Sequence, residues 1–441
     1  MDGPEHTTEE RPLPTSSLAR ASRMLSLPLG AAGRQAVGLG RRLLGADSEQ
    51  VDSEMRAAAA EQLFAVLGEL KGGAMKFGQA LSMFEAFLPE EVAKPYRQHL
   101  AKLQDSAPPL PSSRVQAVLR NELGPRWRER FTSFDLRPAA AASIGQVHRA
   151  VLTNGAPVAV KIQYPGADQA LRSDLRQIER LASVVAPLAG GVDVVTMSRE
   201  LAARISEEVD YTLEADNQAR AAAAFANDPE FAVPRVHHAT ARVLISDWLE
   251  GRRLSSTADA AEAERNRVGL SYVRFLFAGP ARAGLLHADP HPGNYLVLPD
   301  GRLGVVDFGL VARLPDGLPS AMGRLIRLAI DDDADAMTAG LADEGFIARD
   351  VDARDLLGYL EPFVEPARAE EFHFDREWMR EQFLHVRGSS NRDGVAMKLT
   401  IPPVYALIHR VWLGGIAVLA QLDVTARFRG VLAEFLPGWH D

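Results

Sequence analysis

Several features that would define a function are missing from this chain of 441 residues. It contains no cysteine, which excludes disulfides, thiolate nucleophiles and metal sites built on cysteine. It has no basic excess, and a formal net charge of −9 argues against a nucleic-acid partner for the chain as a whole. Hydrophobic residues make up 46% and charged residues 24%, as in ordinary globular proteins. The length allows two or more packed units.

Long hydrophobic runs are also missing. A membrane-spanning helix requires about 18 uninterrupted apolar residues. The best candidate, residues 411–422, is shorter and predicts a buried helix. The N-terminus lacks a basic start followed by an apolar stretch and a cleavage site, which argues against secretion. These observations predict a cytoplasmic protein without a transmembrane helix.

The N-terminal segment, residues 1–46, differs in charge from the rest of the chain. Its first part is polar and predicted to be disordered, whereas residues 11–45 contain arginines and no acidic residue, interleaved with apolar residues. This pattern suits peripheral contact with the anionic inner face of a membrane, where each basic residue contributes about 1 kcal/mol. The alternative is an amphipathic helix that packs on the protein itself and leaves its arginines in solvent.

Residues 47–130 have a mainly helical pattern and are predicted to form an N-terminal extension. The sequence KxGQ begins at Lys76 and ends at Gln79, and three glycines lie within or next to it. Glycines are costly inside a helix, so they indicate a close approach of the backbone to another group. A single lysine on a helix is usually solvated, so KxGQ alone is a weak signal.

After Phe131 the pattern becomes that of β-strands. An alanine-rich stretch leads into one strand, Asn154-Gly155 predicts a hairpin turn, and the return strand contains Val-Ala-Val-Lys, which ends at Lys161. Protein kinases place a phosphate-binding lysine in such a strand, after a glycine-rich loop. Here an alanine-rich loop takes that position, and the candidate nucleotide-binding residues are Ala140, Ala141, Ala142, Ser143, Ile144 and Gly145.

Two glutamates are candidates for the residue that pairs with Lys161. Glu208 and Glu214 lie in an acidic helical segment where a kinase has the corresponding glutamate. They are six positions apart and point to opposite sides of a helix, so the choice between them stays open. The backbone of the next predicted hinge, which contains Trp248, Leu249 and Glu250, is expected to contact adenine.

The stretch from position 287 to position 309 carries the predicted catalytic groups. Asp289 is suited to orient the attacking hydroxyl, while Asn294 and Asp307 are suited to bind Mg²⁺ on the phosphates of ATP. Strand-forming residues flank Pro-Asp-Gly at 299–301, which predicts a hairpin that returns Asp307 towards Asp289. His287 is predicted to be structural. A histidine stands where kinases commonly have a lysine two residues after the catalytic aspartate, which predicts slow turnover.

Taken together, KxGQ, the alanine-rich loop, VAVK, ExDYxxEA at 208–215, HADPHPGN at 287–294 and DFG at 307–309 resemble the UbiB (AarF/ADCK) family of atypical kinases. The resemblance implies an α+β, bilobal protein-kinase-like fold with a helical extension, binding of ATP and Mg²⁺, and a link to lipid quinones or membrane lipids. It also implies that Lys76 and Gln79 cover the pocket, that Glu208 and Asp210 engage Lys76, and that Glu214 pairs with Lys161.

The resemblance assigns residues 131–251 to the N-lobe and residues 252–441 to the C-lobe. Its alanine-rich loop implies ATPase or small-molecule chemistry, with a lipid or quinone-like acceptor, in place of ordinary protein phosphorylation. Many members of the family end in transmembrane helices that this sequence is predicted to lack. Two other functions stay open: a nucleotide-binding pseudokinase scaffold, and a phosphotransferase for a soluble small molecule. The sequence does not predict the oligomeric state.

Overall fold

The structure is a computed structural model that describes residues 110–142, 144–167, 210–388 and 394–440. All of these residues belong to the unit Ala107–Asp441. The predicted basic segment, most of the helical extension, and Lys76, Gln79, Ser143 and Glu208 lie outside the described residues.

The first part of the described chain is organised around an antiparallel sheet. In chain order its elements are α1 (Ser112–Leu123), β1 (Phe131–Phe134), β2 (Ala140–Ala142), β3 (Gly145–Leu152), β4 (Pro157–Gln163), α2 (Tyr211–Ala224), β5 (Phe231–Ala232), β6 (Val236–Ala239) and β7 (Val243–Asp247). The sheet has the strand order β1-β3-β4-β7-β6, and β2 pairs with β3. Its antiparallel neighbours match the predicted N-lobe.

Strand β4 shows why this sheet forms and which face it buries. Val158, Val160 and Ile162 alternate along the strand and are fully buried in a cluster that includes Val115 and Leu119 of α1. Side chains alternate across a strand, so the residues between them project from the opposite face of the sheet. The burial of one face against α1 therefore leaves the other face of β4 for the site that includes Lys161.

The second part of the described chain is mainly helical. Its elements are β8 (Arg252–Arg253), α3 (Glu262–Ala283), β9 (Leu285–His287), β10 (Tyr295–Val297), β11 (Leu303–Val305), β12 (Val311–Arg313), α4 (Ala321–Ile330), α5 (Ala334–Asp343), α6 (Ala353–Arg368), β13 (Phe372–Phe374), α7 (Arg376–Gly388), α8 (Pro403–Leu422), β14 (Val424–Ala426) and α9 (Phe428–Phe435). Strands β5, β11, β10 and β8 form a small sheet, while β9 pairs with β12 and β13 with β14.

Helix α3 lies at the centre of this second part. Its buried residues Tyr272 and Phe275 share one hydrophobic core with Tyr295 of β10, Phe308, and Val411 of α8. Burying a large aromatic side chain contributes about 1.5–3 kcal/mol, so these contacts hold the β9–β12 region against the helices. The antiparallel sheet followed by the helical body confirms the predicted α+β, protein-kinase-like fold class.

Helix α8 is longer than the sequence window indicated. Prolines at its start allow helix formation, because proline is tolerated in the first turn, and the helix then continues through the polar pair His409 and Arg410. Residues Val404–Leu422 are long and apolar enough to cross a membrane by length and composition, and 44% of the 18-residue window is buried in the protein. The prediction that no helix is long enough to span a membrane, which was based on residues 411–422 alone, therefore underestimated the length of this helix.

Candidate active site

Lys161 lies where the two parts of the fold meet. Its Nζ is 2.8 Å from Glu214 Oε1 and 3.2 Å from Asp307 Oδ2. Burial on its own would lower the pKa of Lys161, but the carboxylates of Asp307 and Glu214 raise that pKa well above its ordinary value. The ammonium therefore stays charged and joins α2 to the segment that follows β11.

Glu214, which pairs with Lys161, lies on the buried face of helix α2. Asp210 caps the helix by accepting hydrogen bonds from the backbone N–H and the hydroxyl of Thr212, at 2.9 and 2.7 Å. Tyr211, Glu214 and Asn217 follow at intervals of three residues and are all buried. Of the two glutamates left open by the sequence, Glu214 makes the contact with Lys161.

A hairpin brings the three predicted catalytic residues to one edge of the C-lobe. Strands β10 and β11 pair antiparallel as predicted, and Gly301 adopts a φ of 87° in the turn. The side-chain N–H of Asn294 donates to the carbonyl of Asp289 at 3.2 Å, and the backbone N–H of Val306 donates to the carbonyl of Asn294 at 2.9 Å. This chain of hydrogen bonds links Asp289, Asn294 and the residue preceding Asp307.

Asp307 has an uncommon backbone conformation. Its φ is 65°, in the left-handed region that non-glycine residues rarely occupy. Its Oδ1 accepts from the backbone N–H of Gly309 at 3.3 Å, and Oδ2 lies against Lys161. The backbone of Asp307 is also bound through its carbonyl, which accepts from Nε2 of His287 at 3.0 Å. The strained residue is thus fixed from both its backbone and its side chain.

His287 is a structural residue in this arrangement. It is 2% exposed, and burial lowers the pKa of its imidazole, which favours the neutral form. Because Nε2 donates to the carbonyl of Asp307, Nδ1 is the acceptor for the hydroxyl of Tyr295 at 3.4 Å. The hydrogen bonds agree with the structural role that the sequence predicted.

The alanine-rich segment differs from a simple loop. Ala140, Ala141 and Ala142 form strand β2, paired in register with β3. Ile144 is 3% exposed and packs in a small cluster with Tyr211 of α2, so its side chain is part of the core. A side chain on Gly145 would overlap the carbonyl of Ile162. Gly145 is therefore required for close packing of β3 on β4, a reason that is independent of phosphate binding.

Part of the predicted hinge is hydrogen-bonded to the sheet. The backbone N–H of Trp248 donates to the carbonyl of Pro157 at 3.0 Å, which extends the pairing of β7 with β4. The indole N–H of Trp248 donates to Glu250 at 3.0 Å, and Arg149 lies 5.1 Å from the centre of the indole ring. The backbone N–H of Trp248 is therefore used within the sheet, and the predicted adenine contacts are left to its carbonyl and to the residues after it.

The side chains of this region fit a magnesium nucleotide. Mg²⁺ is usually held by one or two protein oxygens together with substrate phosphates and water, and the side chains of Asp307 and Asn294 carry oxygens of that kind. Among the described residues, no group of three or more acidic or histidine side chains forms a separate metal site. In that same part of the chain, the hydroxyl of Tyr211 is buried without a hydrogen-bond partner, beside Lys161.

Three polar residues in this region were not assigned from the sequence. Asn217 contacts both Phe308 and Arg313, while Gln146 and His148 form a buried hydrogen-bonded pair behind the alanine-rich segment. The spacing from Glu214 to Asn217 places both on one helix face, which is the one signal that the sequence contained. The partners of these residues are distant in sequence, so their roles required the fold.

The sheet, the helical body and the Lys161 region define a protein with a protein-kinase-like fold. A model of the ABC1 atypical kinase-like domain matches residues 102–340. That match covers more than half of the sequence, so the chain belongs to the ABC1 atypical kinase family, which confirms the resemblance drawn from the motifs.

Similar curated proteins support the same family assignment. The chain is 31% identical over 399 residues to "Protein ACTIVITY OF BC1 COMPLEX KINASE 3, chloroplastic" of Arabidopsis thaliana, covering 86% of this chain and 53% of that protein. It is 32% identical over 247 residues to "Atypical kinase COQ8, mitochondrial" of Saccharomyces cerevisiae, covering 55% of this chain and 48% of that protein. The chain spans about half the length of these curated relatives.

A solved structure resembles the chain over most of its length. The structure is titled as the complex of Rv3197 with erythromycin from Mycobacterium tuberculosis, and it is 42% identical in sequence with a TM-score of 0.69. The similarity covers 90% of this chain and 100% of that chain. The fold is therefore shared with that structure, and membership of the atypical kinase family supports a kinase- or ATPase-type activity in general terms.

Proposed function

We propose that the protein binds Mg-ATP at the Lys161 region and transfers the terminal phosphoryl group to water or to a lipid-like hydroxyl. The observation that carries this proposal is the double contact of Lys161 with Glu214 and Asp307, at 2.8 and 3.2 Å. A charged lysine held between a helix glutamate and the aspartate of Asp-Phe-Gly is the arrangement that phosphoryl transfer by kinase-like proteins requires.

Each residue has a role that follows from its chemistry. When bound, Mg-ATP supplies the phosphoryl group together with a metal that neutralises phosphate charge. Lys161 neutralises phosphate oxygens and is itself held in place by Glu214. Asp307 and Asn294 hold the metal, and Asp289 orients the hydroxyl of the acceptor. Asp289 is suited to that role because its side chain is partly exposed and its carbonyl is bound by Asn294.

The acceptor is proposed from the family resemblance. A lipid or quinone-like molecule, used in isoprenoid quinone biosynthesis or membrane lipid homeostasis, agrees with the alanine-rich segment and with KxGQ, in which Lys76 and Gln79 would regulate access together with Glu208 and Asp210. A cytoplasmic protein at the inner face of the membrane fits this function. The basic N-terminal segment would then make the membrane contact, and deleting residues 1–45 should weaken sedimentation with vesicles that contain anionic lipid.

The test compares Mg-dependent ATP hydrolysis by the wild-type protein and by Asp307→Asn. We expect the variant to lose hydrolysis to background, because the amide cannot replace the carboxylate charge at the metal. Asp331→Asn is the matched control, since it removes an exposed carboxylate at the end of α4, and it should hydrolyse ATP like the wild type. Wild-type hydrolysis at background level, with nucleotide binding retained, would instead support a pseudokinase scaffold.

A soluble small-molecule phosphotransferase is the other alternative that the sequence left open. Its distinguishing result is phosphorylation of a soluble hydroxyl compound by a preparation free of membrane lipid. Lipid profiling of a deletion strain complemented with wild type or Asp307→Asn identifies the pathway directly.

Binding of a macrolide is a second candidate function. It is favoured by the 42% identity to Rv3197, whose structure is titled as an erythromycin complex. Isothermal titration with erythromycin, in the presence and absence of ATP, measures it. Absence of heat at protein and ligand concentrations of about 100 μM would place the dissociation constant above the range of specific binding.

A further inference from the structure

Asn217 is a buried amide on α2 that joins two other parts of the site. Its exposure is 8%. The side-chain N–H donates to the carbonyl of Phe308 at 3.3 Å, and Oδ1 accepts from Nη2 of Arg313 at 3.2 Å. These two bonds fix the orientation of the amide, because the reverse orientation would place oxygen against a carbonyl and nitrogen against a guanidinium.

The two bonds reach the Asp-Phe-Gly segment at 307–309 and the strand that follows it. Phe308 is the residue directly after Asp307, and its ring is 1% exposed in the C-lobe core. Arg313 ends β12, the strand that pairs with β9 just before the catalytic loop. Asn217 therefore binds the backbone of the Asp-Phe-Gly segment and the side chain at the end of β12.

Asn217 also lies on the same helix face as Glu214. Residues three apart on a helix are neighbours on its surface, so one stripe of α2 holds Lys161 through Glu214 and holds Phe308 through Asn217. Asp307, with its φ of 65°, is placed between these two attachments. Its strained backbone requires support from its surroundings, and the Asn217 amide supplies part of that support.

We propose that Asn217 is a positioning residue that fixes the Asp307–Gly309 backbone to α2, so that Lys161, Glu214 and Asp307 are held as one unit. This inference rests on the proposed function where it concerns metal binding. In many protein kinases, phosphorylation orders the corresponding segment through arginine–phosphate pairs. Here Arg313 is held by a neutral amide, and the residue before Asp289 is the buried Ala288 where such kinases have arginine.

The consequence is a site that assembles without phosphorylation of the segment after Gly309. Arg313 has its partner within the protein, and the position of Ala288 offers no second cation to a phosphate. The hydrogen bonds of the Asn217 amide thus order this segment from within the protein. In a regulated kinase, an added phosphate group orders it.

Hydrogen exchange tests this positioning role without reference to activity. Asn217→Ala should increase amide exchange of peptides covering residues 306–313 by about tenfold, the ratio that corresponds to about 1.4 kcal/mol. Gln218→Ala is the matched control: Gln218 is the next residue of α2, is 3% exposed, and donates to the carbonyl of Pro234 at 2.9 Å. The control should leave exchange of residues 306–313 unchanged.

Metal dependence provides the second readout. In Asn217→Ala the Mg²⁺ concentration for half-maximal nucleotide binding should rise by about tenfold, while binding of nucleotide in EDTA changes little. Arg313→Ala, a change at an exposed residue, should show the same direction in a fully folded protein. Asn217→Asp keeps the acceptor for Arg313 but places an oxygen against the carbonyl of Phe308, so it should raise the Mg²⁺ requirement in the same direction as Asn217→Ala.

The outcomes separate the two proposals. Equal exchange of residues 306–313 in Asn217→Ala and Gln218→Ala would overturn the positioning role, whether or not nucleotide binds. A wild-type protein that shows the expected exchange difference but binds no nucleotide would overturn the proposed function and leave Asn217 as the residue that fixes this segment.

Discussion

At the scale of single residues, the site depends on one ammonium shared by two carboxylates. Glu214 is 3% exposed in its side chain and Lys161 is 13% exposed, while Asp307 is 30% exposed. Charges in such surroundings are stable only while they are paired. Lys161 contacts both carboxylates, so its replacement disturbs two ion pairs at once.

Replacing Lys161 or Glu214 should test this effect. Lys161→Met removes the ammonium that contacts both Glu214 and Asp307, and we expect the free energy of unfolding to fall by about 3 kcal/mol. Glu214→Gln leaves Lys161 with Asp307, so a loss of about 1–2 kcal/mol is expected. Urea unfolding at pH 7.5 measures both. Arg235→Met, which removes an arginine exposed by 79% from a pair with Asp247, is the control. A larger loss for Glu214→Gln than for Lys161→Met would contradict this account.

A buried histidine behind the alanine-rich segment should make the stability of the protein depend on pH. His148 is fully buried, and burial lowers the pKa of its imidazole below the ordinary value of 6.5. Its Nε2 contacts Nε2 of Gln146 at 2.7 Å, and its Nδ1 contacts the carbonyl of Asp135 at 2.8 Å. Because the amide N–H₂ of Gln146 is a donor, Nε2 of His148 must be the unprotonated acceptor.

The sign of this pH effect follows from linkage. A folded-state pKa below the unfolded one means that the unfolded chain binds more protons between the two values, so stability falls as pH drops below about 6.5. His148→Gln, which cannot be protonated, should flatten that part of the curve. Melting temperatures from pH 8 to pH 5 measure it, with His440→Gln at the exposed C-terminal end as the control. An unchanged slope in His148→Gln would remove His148 from the explanation.

At the scale of secondary-structure elements, helix α8 supports the catalytic loop. Gly414 faces Pro290, the residue after Asp289, and a Cβ at position 414 would overlap the proline ring. The carbonyl of Pro290 also accepts from the hydroxyl of Tyr272 at 2.8 Å. The loop is therefore held between α8 and α3.

Adding one methyl group at this contact should disturb the loop. Gly414→Ala is expected to destabilise the protein by about 1–3 kcal/mol through overpacking and to lower ATP hydrolysis more than nucleotide binding. Gly430→Ala in α9 is the control, because no atom lies within 4 Å of its added Cβ, and it should be neutral or stabilising by up to about 1 kcal/mol. Thermal unfolding and hydrolysis assays compare the two. Wild-type hydrolysis in Gly414→Ala would show that the loop does not depend on this contact.

Elements with local signals could be predicted from the sequence. Asn154-Gly155 and the Pro-Asp-Gly turn fix their hairpins through residues that favour the required φ angles, and both hairpins are present. In contrast, Gly145 against Ile162 and Asn217 against Phe308 depend on tertiary packing, so no local pattern predicts them. The length of α8 was underestimated because His409 and Arg410 interrupt the apolar run of the sequence. The helix continues through both residues.

At the scale of the whole molecule, α2 connects two hydrophobic clusters. Tyr211 and Ala215 pack in the small cluster beside the sheet, whereas Ala221 and Phe225 pack in the large C-lobe core. A ligand that binds Lys161 on one side and Asp307 on the other stabilises the same junction. Binding of such a ligand should therefore raise the free energy of unfolding of the sheet and the helical part together.

Ligand and metal removal tests this linkage. At a nucleotide concentration of about 100 times its dissociation constant, Mg-bound nucleotide should add about 2.7 kcal/mol to the free energy of unfolding. EDTA should remove most of that gain, and Lys161→Met should remove nearly all of it. Calorimetry with a non-hydrolysable ATP analogue measures the shift. Equal stabilisation with and without Mg²⁺ would argue against a metal at Asn294 and Asp307.

The contact between Gly414 and Pro290 also constrains how the sequence can change over time. A side chain at position 414 is acceptable only together with a smaller residue at position 290, or after a shift of α8 away from the loop. In an alignment of related sequences, the two positions should therefore change as a pair. Position 430, which has open space around it, should vary independently of both.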